Sequence, residues 1–155
     1  MISREKIIAF LEPRPAVGEI FELTIDGGAP WNNPMVMLKV SEGDANWRFV
    51  GRKIIGVQTR RFKLEIAQEC ANLKEVLRAL DGKGKIPEGQ WRMAFAEKYR
   101  LEHLSERLGV PDASWINEHG EAHFPFLTNL QSGFHWAEDI RRGGAGWLWL
   151  VEIPE

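Results

Sequence analysis

The chain has 155 residues, a formal net charge of −2 and a pI near 6.1, with 44% hydrophobic and 27% charged residues. That composition describes one folded domain with enough chain to bury a core without covalent staples. It excludes an intrinsically disordered polymer, and the acidic pI carries no polyanion-binding signature for the molecule as a whole.

The single cysteine, Cys70, leaves no intrachain disulfide and no all-cysteine zinc site. Low cysteine usage predicts a reducing compartment, the cytoplasm. The apolar run Ile7–Leu11 stops at Pro13, too short for a signal-peptide core, and no stretch reaches the ~18 apolar residues of a membrane span. Membrane association is therefore not expected. Seven tryptophans stand against one tyrosine, and Trp91, Trp115, Trp136, Trp147 and Trp149 all fall in the last 65 residues. Such residues either fill a core or form exposed ring platforms, and sequence does not separate the two.

In chain order, Ser3 caps a short predicted helix to about Leu11, ended by Pro13 and Pro15. Val17–Ile25 alternates, with Phe21, Leu23 and Ile25 on one face, and reads as a half-buried strand. DGGAPWNNP is a loop, PMVMLKV a buried strand, SEGDAN a tight turn and WRFVG a further strand. The segment IIGVQTRRFKLEI continues extended, with Phe62, Leu64 and Ile66 opposed to Arg61, Lys63 and Glu65. Sequential strands with short turns predict a curled antiparallel meander over about 15–67, which an SH3-like or OB-like partial barrel is one way to close.

A helical middle follows over about 72–109. Asn72 with Glu75 three positions on resembles a capping box, and Leu73, Val76, Leu77 and Leu80 form an apolar stripe stopped by Asp81-Gly82. A second helix starts at Pro87-Glu88 and keeps an approximate 3.6 period through Leu108 before Gly109 and Pro111. It spans about 32 Å unless it breaks near Tyr99, where the stripe drifts. The rest, about 113–153, reads β-rich. WLWLVEI is apolar on both faces, an internal strand inserted between earlier ones. The expectation is an α+β single domain over 1–155: a curled antiparallel sheet, two or three packed helices and a C-terminal internal strand.

Three surfaces compete for function. Asp44 to Glu65 contains no acidic residue between its ends, yet holds Arg48, Arg52, Lys53, Arg60, Arg61 and Lys63, interleaved with Trp47, Phe49 and Phe62. Cations beside rings suit phosphates and bases, so this stretch is the first candidate, for nucleic acid or a protein partner. It implies a non-enzymatic binding module with no cofactor.

The second candidate is a metal-assisted hydrolase. His119 and His123 flank Glu121, but Gly120 and Pro125 turn NEHGEAHFPF into a hairpin rather than a zinc-protease helix. His123 would need His135 with Glu138 or Asp139, which share one face if GFHWAEDIRR is helical, to hold a divalent transition metal. The third is carbohydrate or small-ligand binding by Trp31-Asn32-Asn33 or by Trp115 with Asn117. Cys70 has no neighbouring histidine in sequence, and no phosphate-loop or nucleophile-elbow pattern occurs.

Overall fold

The computed structural model describes residues 11–43, 46–102, 104–141 and 146–155. The helix expected over Ser3–Leu11 lies, apart from its last residue, outside the described residues. The described residues form three α-helices and an open, mixed eight-stranded sheet, an α+β arrangement. The sheet does not close into a barrel.

The first strand, β1 (Phe21–Asp26), has the alternation the sequence predicts: Phe21, Leu23 and Ile25 are buried and their neighbours exposed. The next element corrects the sequence reading. PMVMLKV is a helix, α1 (Pro34–Glu42), not a strand. A uniform apolar run has no period with which to separate the two. What decides is its start. The Asn33 side chain accepts the Met35 N–H at 2.9 Å, and Pro34 sits at the first helical position, where its missing donor costs nothing. Met37 and Leu38 turn inward while Val36 and Val40 face water. Of the expected SEGDAN turn, Ser41 and Glu42 belong to the helix and Gly43 ends it at φ 73°, while Asp44 and Ala45 lie outside the described residues.

The meander is also corrected. WRFVG supplies only the two-residue β2 (Arg48–Phe49), and the following strand, β3 (Val57–Glu65), begins after a turn at Gly56 (φ 70°). β3 pairs antiparallel with β1, whereas β2 pairs with a later strand at the opposite end of the sheet. Chain neighbours are not sheet neighbours here.

The second helix, α2 (Leu73–Leu80), starts where expected. Asn72 Oδ1 accepts the Glu75 N–H at 3.0 Å, and the Glu75 carboxylate reaches back to the N–H of Ala71. Leu73, Val76 and Leu80 are buried, and Gly82 (φ 83°) follows the stop. The third helix, α3 (Trp91–Lys98), ends at Tyr99, whose backbone is extended. It does not run to Leu108. Arg107–Gly109 is instead a strand, β4, so the leucine period beyond Tyr99 reflects burial, not helix. Leu104 and Leu108 join the same core as Trp91 and Phe95, and tertiary packing outweighs propensity.

β5 (Trp115–Ile116) and β6 (Ala122–Leu127) form the predicted hairpin, with Trp115 opposite His123 and Gly120 at φ 78°. β6 carries β7 (Ser132–Trp136) on one edge, and β4 with β5 on the other. β8 (Trp147–Ile153) is internal, antiparallel to β3 and parallel to β4.

Alternation along β3 and β8 builds two cores. Phe62, Leu64, Leu148 and Leu150 meet Trp91, Ala94 and Phe95 of α3 on one face. Trp149 and Val151 meet Leu73, Val76 and Leu80 of α2 on the other. A strand covered on both faces must be apolar throughout, which is why WLWLVEI reads as it does. A third cluster places Met37 and Leu38 of α1 against Trp115 and Phe134. No helix among the described residues is long and apolar enough to cross a membrane.

Candidate binding cleft

Arg60 and Arg61 are adjacent on β3 and therefore project to opposite faces of the sheet. Arg60 lies on the α3 side, where its guanidinium sits 5.5 Å from the Trp91 ring centroid. Its Nη1 donates to Glu88 at 3.1 Å and to Glu152 at 2.9 Å, and its Nη2 donates to Gln58. Burial opposes the Arg60 charge, but hydrogen bonding and attraction from Glu152 and Glu88 outweigh it and hold the pKa above the ordinary value. Glu152 is fixed in turn by β8, and its backbone exchanges two hydrogen bonds with Lys85, at 2.8 and 2.9 Å.

Around this ion triad opens a cavity of about 930 Å³, with Arg52, Arg60, Arg61 and Lys85 in its walls beside Glu22 and Glu152. The buried segment Pro87–Gln90 supports it from below. Gly89 N–H donates to Asp112 at 2.8 Å, Ser114 donates to the same carboxylate, and the Gln90 amide holds the Arg52 carbonyl at 3.1 Å. Burial raises the Asp112 pKa, only partly offset by the hydrogen bonds from Ser114 and Gly89. The cations thus come from three separate stretches of chain, two of them anchored by buried polar groups.

Of the nine residues that the sequence groups as one basic, aromatic surface, only Arg52, Arg60 and Arg61 line this cavity. Lys63 projects to the α2 face and pairs with Glu65 at 3.0 Å, and Lys53 is exposed outside the lining. Trp47, Arg48 and Phe49 lie at the β2 end of the sheet. There Trp47 packs on His123 (4.3 Å between centroids) and Phe49 on Trp115 (4.9 Å). Phe62 is fully buried. Of the rings counted as platforms, Phe62 is a core residue, and Trp47 and Phe49 are half-buried against the cluster of Met37, Trp115 and Phe134. Lys85 carries no sequence signal, because nothing in DGKGK shows that its backbone bridges to the end of β8.

The candidate metal ligands are separated by the sheet itself. The described part of GFHWAEDIRR, residues 133–141, is not helical: His135 lies on β7 opposite Phe124, Glu138 follows in a bend, and Asp139 is in irregular chain just after it. His123, next to Phe124 on β6, faces the other side. Their neighbours confirm it. His123 packs on Trp47, with Nδ1 3.0 Å from the Glu121 carbonyl. His135 packs on Phe124 and Trp147, with Nδ1 3.0 Å from the Trp136 carbonyl. Side chains on opposite faces cannot share one ion. No group of three His, Cys, Asp or Glu side chains converges as a metal site among the described residues. Burial lowers the pKa of both histidines, partly offset for each by the hydrogen bond to its backbone carbonyl.

At the Trp31 loop, the indole is exposed, but the neighbouring amides are already engaged. Asn32 donates to the Asp26 carbonyl at 2.8 Å, and Asn33 caps α1. Trp115 is fully buried with Nε1 donating to Pro34 O at 3.0 Å, and Asn117 closes the β5–β6 turn. No family model matches the chain, and neither a curated protein nor a solved structure matches it.

Proposed function

We propose that this protein is a non-enzymatic binding module whose contact surface is the cleft around Arg60, and that it takes an acidic segment of a protein partner. The observation that carries this reading is that Arg52, Arg60, Arg61 and Lys85 all line one open cavity. Guanidinium groups in such a place suit carboxylates, which they meet bidentately. A protein segment fits better than nucleic acid for two reasons. Among the described residues no aromatic side chain lines the cavity, so they offer bases nothing to stack on. Glu22, Glu152 and Glu155 also share the walls, and would repel a uniform polyanion where they tolerate a peptide of mixed charge.

The test compares a labelled Asp/Glu-rich peptide with a single-stranded oligonucleotide of equal charge, by fluorescence anisotropy at about 50 and 300 mM salt. The peptide binds better, weakens at high salt, and loses about tenfold in affinity with Arg61→Glu plus Lys85→Glu. Both residues are exposed, so the fold survives the change. Equal binding by the double variant, or preference for the oligonucleotide, overturns the reading.

A further inference from the structure

β3 is longer than the ladder that joins it to β8. That ladder covers Arg61–Glu65 and stops where Arg61 meets Ile153, whereas β3 starts at Val57. Pro154 has no N–H to continue it, and Glu155, which a longer strand would set opposite Thr59, forms no bridge there. On its other edge the same stretch, Val57–Arg60, pairs with β1.

Backbone groups along a strand turn alternately to its two edges, and two bonds fix the phase here. Gly27 N–H donates to the Gly56 carbonyl at 2.8 Å and Gly18 N–H to the Leu64 carbonyl at 2.9 Å, both from the edge that β1 occupies. Even-numbered residues from Gly56 to Leu64 therefore face β1, and odd-numbered ones face the β8 edge. Arg61, Lys63 and Glu65 meet β8 there. Val57 and Thr59 do not: among the described residues no hydrogen-bond partner reaches the backbone of either on that edge. Thr59 opens instead into the cavity around Arg60.

Side chains sort onto two faces by the same alternation. Arg60 and Glu152 share the α3 face, and Lys85, bridged to Glu152, shares it too. Arg52 is held beside the start of α3, where Gln90 Nε2 donates to its carbonyl at 3.1 Å. Glu88 and Glu152 both engage Arg60, and Arg52 and Lys85 form no ion pair among the described residues. The opposite face carries Val57, Thr59, Arg61 and Ile153. There Val57 is 70% exposed, and Glu22 stands across from Arg61 on β1. One face thus suits negative charge and the other an apolar group.

We infer that the acidic segment binds as a β-strand, antiparallel to β3 and hydrogen-bonded to Thr59 and Val57, which rests on the reading of the cleft given above. Its acidic side chains occupy alternate positions on the face of Arg52 and Lys85, and β-branched aliphatic side chains between them cover Val57 and Ile153. Edge pairing supplies affinity through the main chain, and the two faces supply specificity. A second copy of this chain is the other common occupant of a free edge. Pairing two such edges would bring Arg60 and Arg61 of both copies together, and like charges so placed repel.

The test uses the unaltered chain and peptides of about eight residues. One alternates Asp and Val, and its permutation has every Asp before every Val. Two more are alternating peptides N-methylated either at the valines or at the aspartates. A residue opposite Thr59 or Val57 shares its face, so valine N–H groups point at β3 and aspartate N–H groups point away. By fluorescence anisotropy the alternating peptide should bind about tenfold tighter than its permutation. Valine methylation should weaken it by about tenfold, aspartate methylation by about twofold at most. Binding should also slow hydrogen exchange at the Thr59 and Val57 amides. Equal affinity of the two sequences, equal effects of the two methylations, or unprotected amides overturns the strand. The acidic reading of the cleft survives that outcome if both peptides still weaken with Arg61→Glu plus Lys85→Glu. Absence of binding by either acidic peptide overturns both.

Discussion

Arg92 shows how much a single buried charge can organise. It is 1% exposed, donates from Nη1 to the Gly133 carbonyl at 2.6 Å and from Nη2 to Ser41 Oγ at 3.3 Å, and lies 4.9 Å over the Phe134 ring. Burial pushes its pKa down to about 10, with Glu42 opposing the shift. One side chain on α3 thereby ties α1 to β7. Arg92→Ala leaves a cavity and a carbonyl without its donor, and is expected to cost about 2–4 kcal/mol in urea denaturation. Arg92→Met fills the space without a charge to desolvate and should cost clearly less. Equal losses for the two would show that the charge, not the volume, is what matters. Gly109 makes a second residue-scale case. A Cβ there would come within 2.5 Å of the Trp149 ring, so Gly109→Ala should lose about 1–3 kcal/mol by overpacking, and a variant as stable as the parent would refute that contact. Sequence marks Gly109 as a helix stop, whereas its role is to let an indole cross the β4 backbone.

At the scale of elements, α1 and the stretch beyond α3 depart from the sequence pattern for opposite reasons. PMVMLKV lacks period, so its fate depends on the cap and on the inward turn of Met37 and Leu38. Leu101, Leu104 and Leu108 have a helical period that the fold does not use, because β8 offers β4 a parallel partner. Asn33→Ala tests the first point: losing the bond to Met35 N–H should destabilise by about 1 kcal/mol and lower helical circular dichroism. If Asn33 merely sat in a loop before a strand, neither quantity would change. Asn72→Ala should cost a similar ~1 kcal/mol, since it removes the acceptor for Glu75 N–H. There the cap was legible, because a clean amphipathic stripe follows it.

For the whole molecule, the buried His123 and the half-buried His135 set an acid limit. Burial lowers the pKa of His123 and His135 in the folded chain below the ordinary 6.5. Below about pH 6.5 the unfolded chain therefore binds more protons than the folded one. Stability attributable to them is full above that pH and is lost as pH falls through the lowered folded values. The slope is at most about 1.4 kcal/mol per pH unit for each histidine. Urea midpoints should fall between about pH 7.5 and 5.5, and His123→Gln with His135→Gln should flatten the fall. A double variant with an unchanged slope would assign the acid sensitivity elsewhere.

The amino-acid pattern by itself settled the features whose cause is local or lies within one strand. These are the alternation of β1, the cap and stripe of α2, the hairpin around Gly120 and the two-faced burial of WLWLVEI. Each is a period or a turn residue, readable without knowing the partner. Only the tertiary structure decided which strands are neighbours, and with them the candidate cleft and its open edge. β8 brings Glu152 beside Arg60 and Lys85 at one end and Trp147 beside Arg107 at the other, joining residues far apart in sequence. The same pairing sets His123 and His135 on opposite faces, because adjacent residues of a strand point to opposite sides and register alone chooses which.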